Sequence, residues 1–347
     1  MLQRPNVTLY CLDPEERRAL FVETDAGPSC DAPFYYQAQA AHARRLIAVP
    51  YDSLPSLADR VQLDPARLLF IYSTGRCGST LVSRALQRTP AVVSLSEPDA
   101  LTQLVTARLE NRCSDHELRL LARSCVLLQC APYVRHGERP VIALKFRSFV
   151  SGLADVLQVA FPEARSIFMY RNALEYAASV APMLGRWWSK RLTKPAPMLA
   201  KWYAQLDPLV REIVQVRGEP LSPGGILACI WASAMRAGLD LSRRQAPLLA
   251  VRYEELLGDA NGVLATLCEF CGIEPCADID SIISLDSQQG TSVSREKLRG
   301  LRRALSPSEI ATVREYLQRY AGGMTPEERV PSKFMSVGRA RAAANHA

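Results

Sequence analysis

Short apolar runs alternate with longer stretches of helical periodicity from about residue 66 onward. The runs are rich in Ile, Val, Leu and Phe, which is typical of strands buried on both faces, and they lie at 67–73, 92–95, 140–145, 165–170 and 247–252. The periodic stretches predict helices at 79–88, 98–108, 115–131, 149–159, 173–184, 201–217, 225–243 and 260–271. Strands that alternate with helices favour an α/β fold, a three-layer sandwich with a central parallel sheet.

The two ends of the chain have other patterns. Apolar runs at 7–12 and 19–24 flank a turn-forming Asp-Pro-Glu-Glu segment, which predicts a hairpin, and a short helix over Tyr35–Arg45 follows. After about Gly322 the chain is polar and weakly periodic. We therefore expect an accessory N-terminal cap over 1–60, an α/β domain over 61–321 and a flexible tail over 322–347.

Composition indicates an ordinary globular protein, with 48% hydrophobic and 22% charged residues. The net charge of +7 suits an anionic ligand, although the excess of Arg over Lys also fits a simple bias in genome base composition. We see no basic-aromatic stripe, so we expect no nucleic-acid partner. The N-terminus has no apolar signal region and no segment approaches a membrane span, so we expect a cytoplasmic protein.

The ten cysteines are scattered along a chain long enough to fold without disulfides. Cys268 and Cys271 have the spacing of a redox or zinc motif, but they lie within an apolar helical pattern and no second pair stands near them. We interpret them as buried helix thiols and expect no metal site.

The loop after the strand at 67–73 has the composition of an anion site. Gly75 and Gly78 permit positive φ angles, and Ser79 and Thr80 open a helix whose free N–H groups face the same place. This predicts a P-loop-like phosphate-binding loop. A nucleotide triphosphatase would have G-x-x-x-x-G-K-[ST], but here Ser79 replaces that lysine and the cation comes earlier, at Arg76. The loop therefore suits a phosphate without a triphosphate and its magnesium.

Three more strands end in ionisable side chains. Glu97 ends the second strand, Lys145 ends the third and Arg171 ends the fourth, and Ser179 follows Arg171 eight residues later on the next helix. In a parallel sheet these positions and the glycine loop fall at the edge where ligands bind.

These residues together resemble the sulfotransferase family, whose members use 3′-phosphoadenosine-5′-phosphosulfate (PAPS) as sulfuryl donor. The family's 5′-phosphosulfate loop reads [RK]-x-G-[ST]-[ST], and residues 76–80 read Arg-Cys-Gly-Ser-Thr. Its 3′-phosphate signature is an Arg at a strand end with a Ser eight residues on, which Arg171 and Ser179 match. The segment 249–259 is similar to a family segment whose tyrosine, here Tyr253, often lies near adenine.

The resemblance covers about residues 66–300 and is closer to the carbohydrate, tyrosyl-protein and bacterial branches than to the phenol-steroid branch. Cys77 departs from the usual small hydroxyl residue. The late Arg-Lys-Gly-x-x-Gly segment of the phenol-steroid branch has no clear match, and 287–295 is a loose substitute. Which residues complete the 3′-phosphate clamp stays open.

The resemblance implies a role for each ionisable residue, and each has an ordinary structural alternative. Arg76 would grip the phosphosulfate through its forked guanidinium, or be a solvated loop residue. Glu97 would be the general base, or a carboxylate favoured by a helix N-terminus. Lys145 would stabilise the transferring sulfuryl group, or be a surface cation. Tyr253 would contact adenine, or be an ordinary packed aromatic.

The sequence thus predicts a sulfotransferase in which a hydroxyl acceptor attacks the PAPS sulfur in line, without a required metal. Glu97, Lys145 and Arg76 would be catalytic, and the donor would be bound by Gly75, Arg76, Cys77, Gly78, Ser79, Thr80, Arg171, Ser179 and Tyr253. The acceptor would be a small molecule, carbohydrate, lipid or peptide, and a Trp-rich stretch after residue 185 would be a lid or a packed loop. Alternatives are a P-loop nucleotide kinase or triphosphatase, and a non-catalytic sulfotransferase-like nucleotide-binding protein. Nothing in the sequence indicates the oligomeric state.

Overall fold

The computed structural model describes residues 4–25, 32–90, 92–134, 140–187, 194–274, 297 and 304–332. The strands are β1 (Val7–Asp13), β2 (Arg18–Thr24), β3 (Ala43–Pro50), β4 (Leu68–Ser73), β5 (Val92–Ser96), β6 (Val141–Lys145), β7 (Arg165–Tyr170) and β8 (Leu248–Arg252). The α-helices are α1 (Tyr35–Ala41), α2 (Leu54–Ala58), α3 (Ser79–Gln87), α4 (Ala100–Leu109), α5 (Asp115–Cys130), α6 (Ala154–Ala160), α7 (Ala173–Val180), α8 (Pro197–Tyr203), α9 (Pro208–Arg211), α10 (Pro223–Arg243), α11 (Tyr253–Gly258), α12 (Ala260–Cys271) and α13 (Pro307–Tyr320). Short 3₁₀ segments lie at Tyr51–Ser53, Pro65–Arg67, Ala131–Tyr133, Ser148–Leu153 and Ala181–Trp187, and a π-helical turn lies at Glu212–Val216.

The central sheet has five parallel strands in the order β5-β6-β4-β7-β8. Every residue of β4 is buried, and alternate residues belong to two different hydrophobic clusters. Helices α3, α11 and α12 pack in one cluster, whereas α4 to α7 and α10 pack in the other. The predicted α/β three-layer architecture is confirmed, and each predicted strand lies within one residue of its expected bounds.

One predicted helix is wrong. The segment 201–217 is divided among α8, α9 and the π-helical turn. The division falls at Asp207-Pro208, where the Asp207 carboxylate accepts the backbone N–H groups of Leu209 and Val210 and so begins a new helix. An N-cap carboxylate followed by proline at the first helical position starts a helix more readily than it continues one.

The N-terminal segment forms a separate antiparallel sheet in the order β1-β2-β3, which confirms the hairpin. Strand β1 packs against α4 and α5, so Leu9 and Phe21 belong to the same core as one face of the central sheet. The expected helix over 35–45 ends at Ala41, and Ala43–Pro50 is strand β3. This edge strand is mostly exposed and packs on the core only through Ile47 and Val49, so its alternation is weak in the sequence.

Residues 322–332 run along the sheet. Pro326 accepts a hydrogen bond from the backbone N–H of Ala173, the Val330 N–H donates to the Tyr170 hydroxyl, and the Ser332 hydroxyl donates to the Leu248 carbonyl. The remainder of the expected tail lies outside the described residues. Within the described ranges, no helix is long and apolar enough to cross a membrane.

Candidate active site

The loop between β4 and α3 turns sharply at three positions. Gly75, Arg76 and Gly78 have φ angles of +85°, +54° and +81°. Gly78 is also the N-cap of α3, and no described side chain caps that helix. The N-terminus of the nine-residue helix α3 therefore faces the loop without a side-chain cap, at the end where the helix dipole favours negative charge.

Gly78 is required by packing as well as by its φ angle. A Cβ atom at this position would lie 2.8 Å from Leu256 Cδ2 and 3.2 Å from Tyr253 Cδ2. Helix α11 thus closes on the loop, and the Tyr253 ring lies directly against the backbone that the sequence predicts to bind an anion.

Cys77 has a structural place in this loop. Its side chain is fully buried and its thiol lies 3.3 Å from the Met169 carbonyl of β7, to which it donates. Burial raises the pKa of the Cys77 thiol, and the nearby charge of Lys145 opposes that rise only in part. The thiol therefore stays neutral and adds no negative charge beside the loop.

Arg171 and Ser179 converge on the same loop, as the spacing predicts. Arg171 Nη1 donates to the Arg76 carbonyl at 3.0 Å, and Arg76 Nε lies 3.3 Å from Ser179 Oγ. Asn172 caps α7 by accepting the N–H groups of Leu174 and Glu175, which fixes the helix that carries Ser179.

Part of the Arg171 guanidinium is without a partner among the described residues. Its Nη2 pairs with Glu175 at 3.3 Å and its guanidinium lies 4.6 Å from the centre of the Tyr253 ring. Its Nε is buried and has no hydrogen-bond partner among the described residues. A buried N–H without a partner costs free energy, so a hydrogen-bond acceptor that reaches this atom is stabilising.

Glu97 and Lys145 form an ion pair at the ends of adjacent strands. Lys145 Nζ contacts Glu97 Oε1, and the two side chains are 4% and 16% exposed. The Glu97 N–H also donates to the Lys145 carbonyl at 2.6 Å, and Glu97 has a φ of +60°. Such a φ is strained for a glutamate, so this turn holds the carboxylate at a fixed position beyond the sheet.

The glycine loop, Arg171, Ser179 and the Glu97–Lys145 pair line one cavity of about 1030 Å³. It lies beyond the carboxyl ends of the strands, with Tyr253 and Arg171 on the β7–β8 side and Glu97 and Lys145 on the β5–β6 side. Every predicted site residue lines it: Gly75, Arg76, Cys77, Gly78, Ser79, Thr80, Glu97, Lys145, Arg171, Ser179 and Tyr253. The residues that the sequence analysis singled out thus lie together, and their roles stay predictions.

Further lining residues had no signal in the sequence analysis. Phe34, Tyr36 and Gln37 come from the N-terminal segment, and Arg147 and Tyr203 come from loops and helices around the sheet. Aromatic residues in a segment without strand periodicity are found only once the chain is folded. The loose 3′-phosphate match at 287–295 and residues 188–193 of the Trp-rich stretch lie outside the described residues.

The family is decided by a match to the model of the Sulfotransferase family over residues 69–278. The chain belongs to the sulfotransferase family. The match spans the glycine loop, the Glu97–Lys145 pair and the Arg171 region.

Several solved sulfotransferases are similar to this chain. The sulfotransferase domain of the Synechococcus olefin synthase is 17% identical, with 79% of this chain and 94% of that chain covered and a TM-score of 0.38. A sulfotransferase from Alicyclobacillus acidocaldarius is 18% identical, covering 78% and 98%, with a TM-score of 0.39. One from Mycobacterium tuberculosis is 15% identical, covering 78% and 81%, with a TM-score of 0.42. A comparison with curated proteins gives no match.

Cys268 and Cys271 are buried free thiols on α12, as expected. Burial raises the pKa of Cys271 to about 12. In the described part of the chain, no three His, Cys, Asp or Glu side chains are placed to hold a metal ion.

Proposed function

We propose that this sulfotransferase moves a sulfuryl group from PAPS to a hydroxyl-bearing acceptor, with Glu97 as general base. The observation that carries the proposal is the single cavity that joins the glycine loop, Arg171 and the Glu97–Lys145 pair. Free thiols throughout the described cysteines support a reducing location, for which we propose the cytoplasm.

The residues present fit the donor. The uncapped N-terminus of α3 and the positive φ angles of Gly75 and Gly78 suit the 5′-phosphosulfate. The unpartnered Nε of Arg171 suits the 3′-phosphate, with Ser179 beside it. We infer that the Tyr253 ring stacks on the adenine. When bound, the donor supplies the sulfuryl group and leaves as 3′-phosphoadenosine-5′-phosphate.

The ion pair gives Lys145 two uses. Its ammonium pairs with the Glu97 carboxylate and holds it in place beside the glycine loop. The positive charge of Lys145 also acts at Cys77 of the glycine loop, so it is placed to stabilise negative charge on a group bound there. We infer that Lys145 turns from Glu97 toward the bound anion, which frees the carboxylate to accept the proton of the acceptor hydroxyl.

The test is transfer from sulfur-labelled PAPS to a cell extract, followed by identification of the labelled product. We expect wild-type protein to label a hydroxyl compound, and Glu97→Gln to lower the rate by about 10²- to 10⁴-fold, the range of general-base contributions. Glu212→Gln is the control, since Glu212 pairs with Arg217 at the exposed surface, away from the cavity. Absence of labelled product with wild-type protein contradicts the proposal.

A further inference from the structure

Helix α1 of the N-terminal segment is anchored through one face. Tyr35 is buried and its hydroxyl lies 3.1 Å from that of Tyr133. One turn later the buried Gln39 donates to Thr8 Oγ1 at 2.7 Å and to the Leu9 carbonyl at 2.9 Å. Residues i and i+4 share a helix face, so Gln39 fixes α1 on β1 and Tyr35 fixes it on the segment that follows α5. These contacts set which side chains of α1 face the cavity.

The neighbouring side chains of this segment face the cavity. Phe34, Tyr36 and Gln37 all line it. Just before them, the Pro33 carbonyl accepts a hydrogen bond of 2.7 Å from the hydroxyl of Ser96, the residue that precedes Glu97. Phe34 is therefore tethered beside the Glu97–Lys145 pair, on the side of the cavity opposite Tyr253.

Other rings complete this end of the cavity. Phe149 and Tyr203 line it with their ring centres 6.0 Å apart. Arg147 lines it too, but its Nη1 pairs with Asp99 at 2.9 Å and its guanidinium lies 5.5 Å from the centre of the Tyr36 ring. The charge of Arg147 is thus paired with Asp99, and rings line this end of the cavity.

We propose that Phe34 and Tyr36 form the acceptor-binding wall and select hydroxyl compounds with an apolar, ring-sized body over carbohydrates. The inference rests on the proposed function, since it places the acceptor beside Glu97. Aromatic walls favour apolar bodies through burial and ring stacking, whereas a sugar requires a polar partner for each hydroxyl that it buries. The N-terminal segment is then part of the substrate site.

Binding of 2-naphthol and of glucose, measured calorimetrically with 3′-phosphoadenosine-5′-phosphate present, tests this without turnover. We expect 2-naphthol to bind the wild-type protein more tightly than glucose. The Phe34→Ala and Tyr36→Ala variants should each bind 2-naphthol about tenfold more weakly, since each loses a ring's contact area. Tyr36→Phe should keep the wild-type affinity, and so should Leu46→Ala, an exposed apolar truncation on β3 that is not among the lining residues.

Unchanged 2-naphthol affinity in both alanine variants, or tighter binding of glucose than of 2-naphthol by the wild-type protein, overturns the inference. Equal thermal midpoints of the variants exclude unfolding as the cause of a loss. Protein that binds 2-naphthol through these rings but transfers no sulfuryl group supports the inference and contradicts the proposed function, so the two failures are distinguishable.

Discussion

Replacing Arg171 by alanine is the sharpest test of how the donor is held. Its Nη1 and Nη2 already have partners in Arg76 and Glu175, whereas its buried Nε has none. One new charge-assisted hydrogen bond to a 3′-phosphate is therefore lost in Arg171→Ala. Such a bond contributes about 1.5–3 kcal/mol, and 1.4 kcal/mol is a factor of ten, so we expect 3′-phosphoadenosine-5′-phosphate to bind about 10- to 150-fold more weakly.

The contribution of the 3′-phosphate contact is isolated by comparing how much the variant weakens binding of 3′-phosphoadenosine-5′-phosphate and of adenosine 5′-phosphate. Arg171→Ala also removes the bond to the Arg76 carbonyl, which loosens the glycine loop and weakens any adenosine 5′-phosphate ligand. Calorimetric titration with adenosine 5′-phosphate measures that shared loss. Arg165→Ala is the matched control, because Arg165 lies at the opposite end of the same strand and donates to the Ala66 carbonyl at an exposed position. Equal weakening of both ligands in Arg171→Ala refutes the 3′-phosphate assignment.

Three more variants test the loop, the ion pair and a buried acid. Gly78→Ala should lower the free energy of unfolding by about 3 kcal/mol, because it combines a positive φ with a Cβ contact of 2.8 Å. The control Gly218→Ala should lower it by about 1 kcal/mol, because Gly218 has a φ of +67° but no described atom within 4 Å of the added Cβ. Similar losses for the two variants in urea titrations contradict the packing argument. Lys145→Met should destabilise the protein by about 3 kcal/mol, because it leaves the mostly buried Glu97 carboxylate without its partner. The double variant with Glu97→Gln should be destabilised by less, and a strictly additive double-mutant cycle argues against the ion pair. Burial raises the pKa of Asp207 to about 7, so the stabilising contribution of this carboxyl group is complete below its unfolded pKa of 3.8 and is lost as pH rises through 7. Between pH 5 and 8, the free energy of unfolding of the wild-type protein should fall by about 2–3 kcal/mol relative to that of Asp207→Asn. Parallel stability curves of the two proteins over this pH range refute the assignment.

The central sheet was predictable because its strands are short, apolar and buried on both faces, as the two clusters on either side of β4 show. Such runs carry a signal that does not depend on distant contacts. Strand β3 carries no such signal, because it is a mostly exposed edge strand. It is held in place by pairing with β2 of the hairpin. The helix over 201–217 was wrong because apolar periodicity continues across Asp207 and Pro208, whereas this N-cap and proline begin a new helix.

The candidate site was predictable where chemistry and strand ends coincide, as at Lys145 and Arg171. The contact of Lys145 with Glu97 follows from the order of the sheet, in which β5 and β6 are neighbours. The aromatic wall of Phe34 and Tyr36 depends on the docking of α1 against β1, which no local pattern encodes.

The most direct measurement is a crystal structure of the protein with 3′-phosphoadenosine-5′-phosphate. The account predicts the 5′-phosphate at the backbone N–H groups of residues 75–80 and the 3′-phosphate within hydrogen-bond distance of Arg171 Nε and Ser179. A nucleotide bound elsewhere, or one whose 3′-phosphate points away from Arg171 into solvent, contradicts it.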